Sequence, residues 1–114
     1  MSTATINPTM NPAAEAPIRT LAAYARTTGS LDAAMLLTSA LERQRRAGDQ
    51  PFSWSWDEIE RETSLTRYRQ LGARQILERL GLLTLLASGP ANSPYLLWRA
   101  DPVRSAAITG NPAC

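Results

Sequence analysis

Between Gly29 and Gly48 the apolar positions Leu31, Ala34, Met35, Leu37, Thr38 and Leu41 form one broad stripe at helical spacing. Ser30 is placed to cap a helix, Asp32 lies in its first turn, and Arg43, Arg45 and Arg46 crowd the end before Gly48. The pattern predicts a helix over 31–47 that packs on others. The rhythm then changes to a period of two in Phe52-Ser53-Trp54-Ser55-Trp56, which predicts a half-buried strand with three aromatics on one face. Ser55 and Glu58 have capping-box spacing, so a short helix over 57–63, anchored by Ile59, should follow directly. A further helix is predicted from Thr66, its cap, to Leu80, where Gly81 ends it. On a helical wheel Ala73, Ile76, Leu77 and Leu80 gather on one side as the core face. Arg67, Leu71, Arg74, Gln75 and Glu78 lie on the other, and Arg69 falls toward the core.

Leu82 to Leu86 and Tyr95 to Arg99 are two apolar-rich runs separated by Ser88-Gly89-Pro90-Ala91-Asn92-Ser93-Pro94, which predicts a hairpin with a long, proline-rich loop. The remaining segments are shorter. Residues 1–29 read as an N-terminal arm, disordered through the prolines at 8, 12 and 17, with a short helix over 18–28 on Ile18, Leu21, Ala22 and Ala25. Residues 30–100 form the expected domain. Residues 101–114 are a tail in which Asp101-Pro102 can start a short helix over 102–109, ahead of Gly110. The fold class expected is mainly α with a small β-hairpin.

Composition narrows the function without naming it. With 114 residues, 44% hydrophobic and 19% charged, the chain has room for one small core, and no apolar run approaches the roughly 20 residues that span a bilayer. No membrane partner is expected. The first residues lack the cationic start and apolar stretch of a secretory signal, so the expected location is cytoplasmic. There is no histidine and the single cysteine is Cys114, which removes disulfide pairing, the usual zinc ligand sets and the commonest nucleophile and base arrangements. Neither an enzyme nor a cofactor or metal is expected. All twelve basic residues are arginine. This usage fits a GC-rich genome, and it also fits planar, bidentate contact with phosphate or guanine.

Charge is distributed more tellingly than its total of +2. Residues 57–62 hold four carboxylates against Arg61, a net of −3, whereas residues 66–80 hold four arginines against Glu78, a net of +3. A short acidic helix, a tight turn and a basic second helix make a helix-turn-helix, in which the second helix enters the DNA major groove. A hairpin after that helix is a wing. The alternative is that these arginines form a solvated face with weak surface ion pairs to the acidic helix.

The chain resembles the winged helix-turn-helix proteins of phages and plasmids that act in replication initiation or gene regulation. The resemblance rests on Leu31-Asp32-Ala33-Ala34-Met35-Leu36-Leu37, Trp56-Asp57-Glu58-Ile59, Glu62-Thr63-Ser64-Leu65-Thr66-Arg67-Tyr68, Ala73-Arg74, Leu77 and Leu80-Gly81-Leu82-Leu83. A Gly-Pro-containing wing closing on Tyr95 completes it, and the match covers about residues 30–100. It implies sequence-specific binding of double-stranded DNA, with residues 66–80 in the major groove and 87–94 alongside. A palindromic site would require a homodimer. The candidate contacts are Thr66, Arg67, Tyr68, Arg69, Arg74 and Gln75 on the helix and Asn92, Ser93 and Arg99 in the wing.

Two positions depart from the family pattern. Ser64 stands where the turn usually has glycine, so it must adopt a left-handed conformation or reshape the turn. Leu71 sits amid the DNA-facing side, where it can meet a thymine methyl or a protein surface. The second option defines a competing function: a winged-helix protein-interaction module, such as a phage factor that binds a host protein assembly.

Overall fold

The computed structural model of the chain describes residues 12–90 and 95–110, with side chains from residue 18 onward. Helix α2 (Leu31–Ala47) is the element on which the others assemble, touching α1 (Pro12–Thr28), α3 (Trp56–Thr63), α4 (Arg67–Arg79) and two strands. Its ends are set locally. Ser30 caps it by accepting from the Ala33 N–H at 3.0 Å, and Arg45 and Arg46 lie in the last turn, where positive charge opposes the helix dipole. Its buried face is Ala33, Ala34, Leu36, Leu37, Ala40 and Gln44. This corrects the predicted stripe, since Leu31 is 61% exposed and Met35 and Thr38 are only half-buried. The difference arises because α2 is covered by α1 and α4 together, and alanines at 33, 34 and 40 let neighbouring helices approach closely.

Helix α1 begins earlier than the periodicity at Ile18 predicts. Pro12 occupies its first position and a run of alanine and glutamate follows, residues that favour helix. The predicted disordered arm is therefore helical over 12–17, and residues 1–11 lie outside the described residues. The inward side of α1 is Leu21, Tyr24 and Ala25 rather than Ile18 and Ala22, which are exposed. Burial raises the pKa of the Tyr24 phenol.

The strands form a three-stranded antiparallel sheet in the order β1 (Phe52–Ser53), β3 (Leu96–Ala100), β2 (Leu83–Ser88). Strand β1 is shorter than the predicted 52–56. Trp54 still donates its N–H to the Leu96 carbonyl at 3.0 Å, after which Ser55 turns to cap α3. Strands β2 and β3 pair Leu83 with Ala100, Thr84 with Arg99 and Leu85 with Trp98, and the register then shifts so that Ala87 meets Leu97. Leu86 is the extra residue of that bulge and is 46% exposed. The inner face of the sheet carries Phe52, Trp54 and Trp98, and the Trp98 indole N–H donates to the Trp54 carbonyl at 2.9 Å. Helix α5 (Pro102–Thr109) starts on the Asp101 cap, as predicted, and packs against α1.

A buried amide joins these layers. The Gln44 side-chain N–H donates to the carbonyls of Gly48 and Gln50 at 2.9 and 2.8 Å, and its Oε1 accepts from the Ala100 N–H at 2.9 Å. It thereby fixes the end of α2 to the end of β3, in a setting where an unmade hydrogen bond would be costly.

The α3–α4 connection answers the question posed by Ser64. Its backbone is left-handed (φ 64°, ψ 14°), and its N–H donates to the Glu60 carbonyl at 2.8 Å. The turn thus keeps glycine-like geometry with a residue that pays a steric cost for it. Ser64→Gly should raise unfolding free energy by about 0.5–1 kcal/mol in urea titrations, relief of the left-handed penalty outweighing the added freedom of the unfolded chain. A loss of stability would show that the serine side chain contributes something the turn geometry does not contain.

Candidate nucleic-acid interface

Helix α4 turns Gln70, Ala73 and Leu77 into the core and half-buries Ile76 and Leu80. Arg67, Tyr68, Leu71, Gly72, Gln75, Glu78 and Arg79 face outward. The wheel assignment of the core side therefore holds, with Gln70 as an unforeseen member. That residue shares the spacing of Ala73 and Leu77, but its polarity concealed it. Its side-chain N–H donates to the carbonyls of Leu65 at 2.8 Å and Trp56 at 3.1 Å. Gln70 thereby locks the start of α4 against the turn and the start of α3.

Trp56, the first residue of α3, links the basic helix to the sheet. Its ring meets Trp98 edge-on, with centroids 5.9 Å apart at 90°. The guanidinium carbons of Arg67 and Arg74 lie 4.9 and 5.9 Å from the Trp56 ring centroid. Each such contact is worth roughly 0.5–1 kcal/mol where exposed, and it restricts side chains that would otherwise be free. The two arginines differ in what else they meet. Arg74 has a side chain only 21% exposed, and its Nε lies 3.5 Å from Glu78 Oε1 without hydrogen-bond geometry. Arg67 is exposed and has no carboxylate partner among the described residues.

The other predicted contacts are dispersed. Thr66 caps α4, its hydroxyl accepting from the Arg69 N–H at 3.4 Å. Tyr68 is 85% exposed. Arg69 turns toward the first turn of α2, where its Nε and Nη2 donate to the two Asp32 carboxylate oxygens at 3.0 and 2.6 Å. Those hydrogen bonds, helped by the guanidinium charge, hold the Asp32 carboxyl below the usual carboxylate range. Gln75 is exposed, one turn beyond Leu71. Arg99 lies on the outward face of β3 and donates to the Asp49 carbonyl at 2.9 Å, so its bond leads to the α2–β1 connection rather than to α4. Asn92 and Ser93 lie outside the described residues. The described part of the hairpin loop closes through the Gly89 N–H and the Tyr95 carbonyl at 2.9 Å.

The acidic face of α3 does not neutralise α4. Glu62 and Glu58 turn toward Arg43 of α2: Glu62 pairs with it directly and Glu58 approaches to 3.7 Å. The Glu58 carboxyl is also held below its ordinary pKa, first by the Ser55 backbone N–H of the capping box. A shallow groove of 420 Å³ runs between α4 and the start of α2, lined by Ser30, Asp32, Tyr68, Leu71, Gly72, Gln75 and Ile76 among others. Among the described residues no group of three or more acidic, histidine or cysteine side chains is gathered to hold a metal. No helix among them is long and apolar enough to cross a membrane.

Trp56 and Asp32 are the members of this site that pattern reasoning does not single out. Trp56 stood in the strand's aromatic series, and Asp32 among helix-capping charges; neither position announces a partner on α4. The chain matches no protein-family model, no curated protein and no solved structure.

The Asp32–Arg69 pair makes a pH-dependent contribution with a definite sign. Because folding lowers the Asp32 pKa from its ordinary 3.8, the contribution is complete above that value and is lost as pH falls through the lower, folded-state value. Asp32→Asn should lower the thermal midpoint at about pH 7, and its gap from the unchanged protein should narrow below pH 3.8. A gap that stays constant across that range would contradict the assignment.

Proposed function

We propose that this chain binds double-stranded DNA in a sequence-specific manner, with α4 in the major groove and the β2–β3 hairpin alongside as a wing. The observation that carries this reading is the outward face of α4: it is left uncovered by the other described residues, and it begins with Arg67, a cation steadied on Trp56 and, among those residues, not neutralised by a carboxylate. Side chains near the start of a recognition helix are those that reach base edges. In this reading Arg67 contacts a base or phosphate, Tyr68 and Gln75 lie on the same approach, and Arg74 adds positive potential from beneath. Arg69 is a positioning residue, because its Nε and Nη2 are engaged by the two Asp32 carboxylate oxygens.

The role that follows is that of a small cytoplasmic regulator of transcription or replication, of the phage or plasmid kind, without catalytic activity of its own. Binding to a palindrome would proceed as a homodimer. One observation favours a second reading. Tyr68 and Leu71 are 85% and 42% exposed, an apolar area that a protein partner such as a host assembly could equally cover.

The two readings separate in a salt-controlled titration. A DNA binder loses affinity steeply as salt rises, through release of condensed counterions. Arg67→Ala should weaken binding by about 1–3 kcal/mol if the side chain reads a base, or reduce the salt slope by about one if it meets a phosphate. Absence of salt-dependent binding to duplex DNA would remove this reading and favour the protein-interaction module.

A further inference from the structure

Among the described residues Gly72 has no neighbour that requires it to be glycine. It sits in the middle of α4 without a positive φ, it is exposed, and a Cβ built on it would meet nothing within 4 Å. Glycine in a helix interior is less favourable than alanine, because it leaves more backbone freedom to be lost on folding. Neither turn geometry nor internal packing offsets that cost here. The absent side chain does leave a gap in the outer surface of the helix, flanked by Tyr68, Leu71 and Gln75.

These four residues follow the spacing i, i+3, i+4, i+7 and therefore form one stripe along α4. The stripe is uncharged. Arg67 and Arg79 border it, the Asp32–Arg69 ion pair lies across the adjoining groove, and Glu78 is engaged by Arg74. An uncharged ridge between cations complements a duplex groove, whose floor presents neutral base edges and whose rims carry phosphates. Its central side chains are also specific in their chemistry. A glutamine amide matches the N6 donor and N7 acceptor of adenine, and an exposed apolar side chain matches the thymine methyl. Leu71 and Gln75 are four residues apart, about 6 Å along the helix axis, or roughly two base-pair steps.

We infer that the Tyr68–Leu71–Gly72–Gln75 stripe is the base-reading edge of α4 and selects an A·T-containing step, with Gln75 on adenine, Leu71 against a thymine methyl and Gly72 at the point of closest approach. The inference rests on the DNA-binding reading and adds its specificity. It shifts sequence discrimination away from the arginines: Arg67 and Arg79 meet the phosphate rims, and Arg74 is held beneath by Trp56 and Glu78. It also accounts for Leu71, which is out of place on a face built only for phosphates.

The test begins by selecting bound sites from a randomised duplex library with the full chain, then measuring binding of Gly72→Ala, Gln75→Ala and the unchanged protein to the selected duplex. Gly72→Ala should raise the thermal midpoint by several degrees and weaken specific binding by roughly tenfold or more. Replacing thymine by uracil at the inferred step should weaken binding by the unchanged protein, and Gln75→Ala should cease to discriminate adenine at its position. Enrichment of a site that tolerates uracil and binds Gly72→Ala undiminished would overturn the inference while leaving the DNA reading in place. A Gly72→Ala protein less stable than the original would overturn it too, since the glycine would then have a structural cause. Failure to retain any duplex would overturn the DNA reading itself, and the inference with it.

Discussion

The contact on which the arrangement depends is the one between Trp56 at the head of α3 and the inner side of α4. Gln70 reaches from α4 to the carbonyls of Trp56 and Leu65, and these are the acceptors for its buried side-chain N–H. An unsatisfied buried polar group costs about 1–3 kcal/mol, so a rotation or slide of α4 that broke these bonds would be resisted strongly. The Trp56 ring is pinned on one side by Trp98 of the sheet and approached from α4 by Arg67 and Arg74. Backbone angle and side-chain placement are thus set at the same residue. Ser64 accepts a left-handed conformation in the intervening turn, and the hydrogen bonds around it hold that geometry.

Ion pairing elsewhere determines which charges remain available. Arg43 of α2 draws in Glu58 and Glu62, so two of the four carboxylates of α3 are engaged by α2 and not by α4. Asp32 takes Arg69 and fastens the start of α4 to the start of α2. The Asp32–Arg69 pair is partly exposed and worth little by itself, and Arg43 is mostly covered, but both pairs govern direction. The outcome is an outward face on α4 whose positive charge is not cancelled by its acidic neighbour. Its middle is neutral, open at Gly72, and rimmed by arginines. The DNA-binding proposal and its specificity both follow from this division of partners.

Elements whose boundaries are chemically local were legible in the sequence. Ser30, the Ser55–Glu58 pair, Thr66 and Asp101-Pro102 each begin the helix they were expected to begin, because a cap involves residues no more than three or four apart. Features decided by distant partners were not legible. The buried side of α2 is rotated from the apolar stripe because α1 and α4 cover it from two directions, and β1 is cut short because Ser55 is committed to a cap. Gln44 and Gln70 looked like surface residues, yet the side-chain N–H of each donates to two backbone carbonyls, and Gln44 Oε1 accepts a backbone N–H as well, whereas Gln70 Oε1 has no partner among the described residues. Arg69, read toward the core side, is exposed and reaches across to Asp32, which lies 37 residues away, and no spacing rule connects the two. The stacking of Arg67 and Arg74 on Trp56 was invisible for the same reason.

The most direct test is a map of backbone amide resonances during titration of the full chain with duplex DNA at low salt. If α4 enters the groove, the largest perturbations fall between Arg67 and Arg79, with Gly72 among the strongest, and the resonances of α1 and α5 stay close to their free positions. Perturbations concentrated on α1 and α5, or none at saturating DNA, would contradict that placement.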